Sequence, residues 1–170
     1  MYNHSWRDYG PRAGIWRLFK TPDRYGIRAT VALNALVCHH YPRIVEEVVK
    51  RDWEFMGHGL TNSQILTNLS AEDERQVIQQ TLDIIEKSAG VRPRGWLGPA
   101  LAESWQTPAL LEEAGIGYLC DWLNDDEPYR MDTPRRQLLS VPYSCELNDI
   151  HCFLRAGYDA PKYLQLLKEN

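Results

Sequence analysis

No apolar run in this chain approaches the roughly 20 residues that cross a bilayer. Its opening residues, MYNHSWRDYG, lack the apolar stretch of a secretion signal. Those two absences make a cytoplasmic location the expectation. Basic residues are in deficit, with 19 Lys and Arg against 23 Asp and Glu and a net charge of −4. Nucleic acid and anionic membrane surfaces are usually met by a basic face, so neither partner is expected. The four cysteines, at 38, 120, 145 and 152, form no CxxC pair and no zinc-finger spacing. Free thiols are expected. There is no Gly-x-Ser-x-Gly elbow and no phosphate-binding glycine loop, which argues against a serine α/β-hydrolase and against a nucleotide site. No low-complexity segment or Pro/Gly/Ser linker divides the 170 residues, so one domain over 1–170 is expected.

What is present alternates between two periods. IRATVALNA (27–35), WEFMGHG (53–59), RGWLGP (94–99), IGYLCDW (116–122) and QLLSVPYS (137–144) read as buried strands. Between them lie amphipathic segments at 41–52, 70–90 and 107–115, with further helices expected over 12–26 and 160–170. The 70–90 helix has Ser70 as N-cap, an acidic first turn and Gly90 past its end. In TPALLEEAG, Thr107 reads as N-cap and Pro108 as N1. This β–α alternation predicts a parallel α/β sheet, doubly wound or closed into a barrel.

In such folds ligands bind beyond the carboxyl ends of the strands. Those ends carry Asn34, then His58 with Thr61 and Asn62, then Trp96, then Asp121 with Asn124, Asp125 and Asp126, and then Tyr143. His58 lies between Gly57 and Gly59, a setting that suits a metal ligand or a general acid/base, and equally a ring satisfied by a carbonyl in a glycine turn. Asp125 and Asp126 read either as a base or cation-orienting pair or as a plain turn before Pro128. Glu103 reads as a rim group or an exposed loop charge. Trp96, Trp105 and Trp122 are aromatic platforms or core. His39 and His40, just ahead of a helix, suggest a cap or surface role.

The segments EFMGHGLTNSQ and KSAGVRPRGWLGPALAESWQTPALLEEAGIGYLCDWLNDDEPYRM resemble the polysaccharide deacetylase superfamily with its NodB homology domain. Within it the chain is most similar to the branch of cofactor-independent allantoinases and peptidoglycan-deacetylase-like proteins. The likeness runs from about SWRDYG to the last helix and is most specific in RPRGW, TPALLEEAG and NDDEPY.

The resemblance implies a distorted, TIM-like (β/α) barrel that hydrolyses a non-peptide carbon–nitrogen bond. Its substrate would be a small amide, a ureide or an N-acetyl sugar. Metal-dependent members carry Asp-Asp at the end of an early strand and a His-x-x-x-His segment. His58 matches the first histidine of that segment, Asn62 stands at the second, and Leu97 stands where Arg-Pro-Pro-Tyr has its arginine. The resemblance therefore implies no cofactor, with zinc or another divalent metal left open if further ligands come from outside these residues. It implies His58, Asn62, Asp125 and Asp126 as catalytic candidates, and Trp96, Asn34, Tyr143 and Glu103 as substrate-lining ones. Strands bearing the family's first acidic motif and its late histidine motif are missing from the sequence, so a partial barrel is expected. Its open edges would need cover from further chain or from a second copy in a homo-oligomer. The alternative is a catalytically inactive NodB-like module for glycan binding or assembly.

Overall fold

The computed structural model describes residues 7–169. Six short strands build one sheet: β1 (Thr30–Leu33), β2 (Glu54–Gly57), β3 (Gly95–Trp96), β4 (Tyr118–Leu119), β5 (Tyr129–Arg130) and β6 (Leu139–Ser140). Their order is β1-β2-β3-β4-β6-β5, and every pairing is parallel except the antiparallel β5·β6 edge. This is the expected parallel α/β architecture. The helices are α1 (Ile15–Tyr25), α2 (Val37–His40), α3 (Pro42–Lys50), α4 (Ala71–Ala89), α5 (Thr107–Glu113) and α6 (Ala160–Glu169). Wide helical turns at Gly10–Gly14 and Ile150–Arg155 complete the main elements. Among the described residues no helix is long and apolar enough to cross a membrane.

Burial is deepest on the face that meets the helices, while at the start of β1 and β2 the opposite face carries exposed Thr30 and Glu54, the Glu54 carboxylate accepting from the Thr30 and Tyr118 hydroxyls at 3.1 and 2.9 Å. In β2, Phe55 and Met56 point to opposite faces and both are buried. One cluster joins Phe19 of α1, Val45 and Val48 of α3, Phe55 and Ile85. A second cluster joins Ile78 and Leu82 of α4 to Trp96, Leu111, Leu119 and Leu138. Helix α4 thus packs into both clusters. Its start follows the sequence, since the Ser70 hydroxyl accepts from the Asp73 N–H at 3.2 Å and three acidic residues occupy the first turn.

Three local expectations are corrected. Thr107 is not the N-cap of α5: Gln106 takes that position, because the Thr107 hydroxyl is engaged by the buried Glu74 carboxylate and the Ser104 N–H. His39 and His40 stand just ahead of α3, as expected, and are exposed, forming the end of the short helix α2. The stretch NDDEPYR contains strand β5 in addition to a turn, and the helical turn Ile150–Arg155 was not foreseen. The strand expected over 27–35 is shorter, Thr30–Leu33. All four cysteines are free, with Cys38 and Cys152 buried. Asn170, at the end of the expected last helix, and residues 1–6 of the opening segment lie outside the described residues.

Candidate functional site

Five parallel strands end on the same side of the sheet, and the residue or two after each decides what that side presents. His58 follows β2 directly, and its backbone N–H donates to Leu33 O at 3.1 Å, extending the β1·β2 pairing by one step. The glycines beside it have different causes. A Cβ on Gly57 would lie 2.7 Å from Trp96 Cε3, so this position is a bed for the indole. Gly59, at φ 66°, bends the chain back after the histidine.

The His58 ring is half-buried, and its Nδ1 is hydrogen-bonded to the carbonyl oxygen of Leu97. A carbonyl only accepts, so Nδ1 carries the proton and the neutral ring presents an unprotonated Nε2. Burial pushes the imidazole pKa down, more than the Leu97 and Asn62 hydrogen bonds push it up. The neutral form is therefore the one present at neutral pH. Asn34 supports the same turn from below, its side-chain amide donating to the His58 carbonyl oxygen.

His58, Asn62, Tyr143, Asn148, His151 and Arg155 line one cavity of about 540 Å³, floored by Leu97 and Leu101. Of the residues the sequence singled out, the structure brings His58, Asn62 and Tyr143 together here. Tyr143 is held by the Asn148 amide, which donates to its hydroxyl oxygen. Asn148, His151 and Arg155 were missed, because the segment around 145–155 carries neither strand alternation nor a capped helical pattern.

The other candidates lie elsewhere. Trp96 is not a pocket wall: it is completely buried between α4 and the sheet, where the absent Gly57 side chain makes room for it. Asp125 and Asp126 are exposed in a separate cavity that shares Tyr143, and Asp125 Oδ1 accepts from the backbone N–H groups of Asp126 and Glu127. The turn reading fits that geometry. Asn34 acts on the His58 backbone and does not line the cavity.

Glu103 is neither an exposed charge nor a cavity neighbour of His58. Its Oε2 accepts from Trp122 Nε1 at 2.7 Å. Beside it is Asp121, 7 % exposed, whose Oδ1 accepts from Gly98 N at 2.7 Å. Burial, then the adjacent Glu103, push the Asp121 carboxyl up to about 9, and burial raises Glu103 as well. Glu74, fully buried nearby, accepts from Ser104 Oγ at 2.6 Å and from the Thr107 hydroxyl.

A metal centre does not fit the donors present. Asn62 occupies one family position, leaving His58 to offer a single nitrogen, Nε2, and among the described residues no three His, Cys, Asp or Glu side chains form a group that could hold an ion.

Residues 7–119 match the polysaccharide deacetylase family. The peptidoglycan deacetylase-like protein FGM2 of Gibberella zeae is 26% identical over 112 residues, 65% of this chain and 33% of that protein. The crystal structure of Puue allantoinase superposes with a TM-score of 0.89 at 27% identity, covering 99% of this chain and 56% of that one. A probable polysaccharide deacetylase from Pseudomonas aeruginosa PAO1 gives 0.85 at 28%, covering 95% and 54%. The chain thus spans a third of the curated relative and little more than half of the two structures.

Proposed function

The chain belongs to the polysaccharide deacetylase family, and from that membership we propose that the protein hydrolyses a non-peptide carbon–nitrogen bond, in a ureide or an N-acetyl amide. Its sheet is part of the family's distorted barrel, and the cavity opens where barrel strands end. The observation that carries the reading is the neutral His58, with Nδ1–H spent on Leu97 and Nε2 unprotonated, beside Asn62 and Tyr143 in that cavity.

Hydrolysis needs a proton acceptor for the attacking water and donors for the developing oxyanion. His58 Nε2 supplies the first. Water oxygen bonds to the substrate carbonyl carbon as its proton passes to Nε2, and the imidazolium formed keeps its Nδ1–H bond to the Leu97 carbonyl. Collapse of the tetrahedral species breaks the C–N bond as that proton moves to the departing nitrogen. Asn62 is positioned to orient water or substrate, and the Tyr143 hydroxyl is a candidate donor to the oxyanion. No step passes through a metal, whose ligand set these residues do not make.

Likeness to Puue allantoinase over almost the whole chain supports a ureide, while the FGM2 likeness supports an acetylated sugar. Both substrates present a planar amide of a size the cavity admits. The test is to incubate the full-length protein with allantoin and with N-acetylated chito-oligosaccharides, following ring opening and acetate release. Turnover of either supports the reading. Binding of both without turnover overturns it in favour of a binding module.

A further inference from the structure

Two buried oxygens near the cavity, Asp121 Oδ2 and Glu103 Oε1, have no conventional hydrogen-bond partner. Both acids use their other oxygen on a donor: Asp121 Oδ1 on Gly98 N–H and Glu103 Oε2 on Trp122 Nε1–H. The two carboxyl groups lie within hydrogen-bonding reach of each other. One shared proton satisfies both remaining atoms, with Asp121 Oδ2–H donating to an ionised Glu103 Oε1. A Cβ on Gly98 would lie 2.8 Å from Asp121 Oδ2, so a side chain there would displace the carboxyl group.

The Gly98 N–H and the Leu97 C=O are the two ends of a single peptide group. Asp121 holds the first and His58 Nδ1 is bonded to the second. We propose that Asp121 and Glu103, joined by one proton, are positioning residues for His58: through the Leu97–Gly98 peptide they hold the ring with its proton on Nδ1 and its lone pair on Nε2. The inference rests on the catalytic reading of His58 only for its consequence in turnover. The pair does not touch the cavity contents. It orients the carbonyl that selects the tautomer, and successive hydrogen bonds across one peptide reinforce each other. The upward displacement of both acids agrees with a retained proton.

The experiment reads the tautomer directly in the full-length protein, from imidazole 15N shifts at about pH 8, above the ordinary imidazole range. In the wild type His58 Nε2 shows the unprotonated signature. Asp121→Asn keeps it, because a neutral amide reproduces both the acceptor and the donor of a protonated carboxyl. Asp121→Ala loses it, and kcat falls about 10- to 100-fold with KM little changed. A carboxylic-acid carbonyl band in the infrared spectrum at neutral pH, present in the wild type and absent from Asp121→Asn, reports the shared proton. The proposal is overturned if folded Asp121→Ala retains the Nδ1–H tautomer, or if the infrared band is missing. Should Asp121→Ala not fold, the infrared band and the Asp121→Asn tautomer still decide, since a reversed tautomer in Asp121→Asn contradicts the proposal. A wild type without hydrolase activity that shows this tautomer behaviour sinks the proposed function and leaves the positioning intact.

Discussion

His58 and Asp121 grip opposite ends of one peptide group, the ring at the Leu97 carbonyl and the carboxyl at the Gly98 N–H. Each comes from a different strand end, so sheet register fixes the pair: Gly57 is level with Trp96, and Trp96 with Leu119. The residues just beyond those levels are His58, Leu97 and the Cys120–Asp121 step. The chemistry of the site follows from this alignment more than from any local motif.

Asp121 gives stability a measurable pH slope. Its folded-state pKa, about 9, is above the unfolded value of about 3.9, so its contribution is full below the unfolded value and is lost as pH rises through the folded one. His58 acts in the opposite sense: its depressed pKa costs stability as pH falls below about 6.5. Glu103, Glu74 and Cys120 share the surroundings of Asp121. Urea denaturation of wild type and Asp121→Asn between about pH 7 and 9 should show the wild type losing stability relative to the variant. The upper limit is about 1.4 kcal/mol per pH unit for one proton. Parallel curves for the two proteins would remove the retained proton.

Gly57→Ala is expected to destabilise by about 1–3 kcal/mol, because the new methyl overlaps the Trp96 ring in a packed interior. Equilibrium denaturation should show the lower midpoint, and near-ultraviolet circular dichroism should report the displaced indole. An unchanged midpoint would mean that the indole has room to move.

That contact also marks where sequence reading stops. The parallel sheet was legible because β-branched runs alternate with capped amphipathic segments, and Ser70 and His58 were legible from their immediate neighbours. Strand β5 was not, since two residues, Tyr129 and Arg130, carry no alternation and are held by pairing with β6. Trp96 looked like a pocket wall because it ends a strand; its burial depends on Gly57, far away in sequence and adjacent only in the sheet. Glu103 and Asp121 read as separate rim charges for the same reason. Only their convergence in space, each with one unpartnered buried oxygen, carries the inference of a shared proton.

Glu112 should prove a structural acid. It is 4 % exposed and accepts from Thr133 Oγ1 at 2.6 Å and from the Arg135 and Gln137 N–H groups, each at 2.8 Å. Glu112→Ala strands those donors beside α5 and is expected to cost about 1–3 kcal/mol, read by thermal or urea unfolding. Hydrogen exchange should accelerate at Arg135 and Gln137 first. Uniform protection there would assign the loop's order to other contacts.

Chelation should leave turnover unchanged, because Asn62 replaces an imidazole and the described residues form no three-ligand group around His58. Dialysis against a strong chelator, followed by metal analysis and assay, checks this. Activity lost with the metal and restored by zinc would contradict the ligand argument.

The central claim is that His58 is the proton acceptor in C–N bond hydrolysis, and its most direct test is the turnover of His58→Ala in the full-length protein. With allantoin and N-acetylated chito-oligosaccharides as substrates, the account predicts a fall in kcat of at least about 100-fold for whichever is hydrolysed, with the unfolding midpoint nearly unchanged. Undiminished turnover in the folded variant would contradict it.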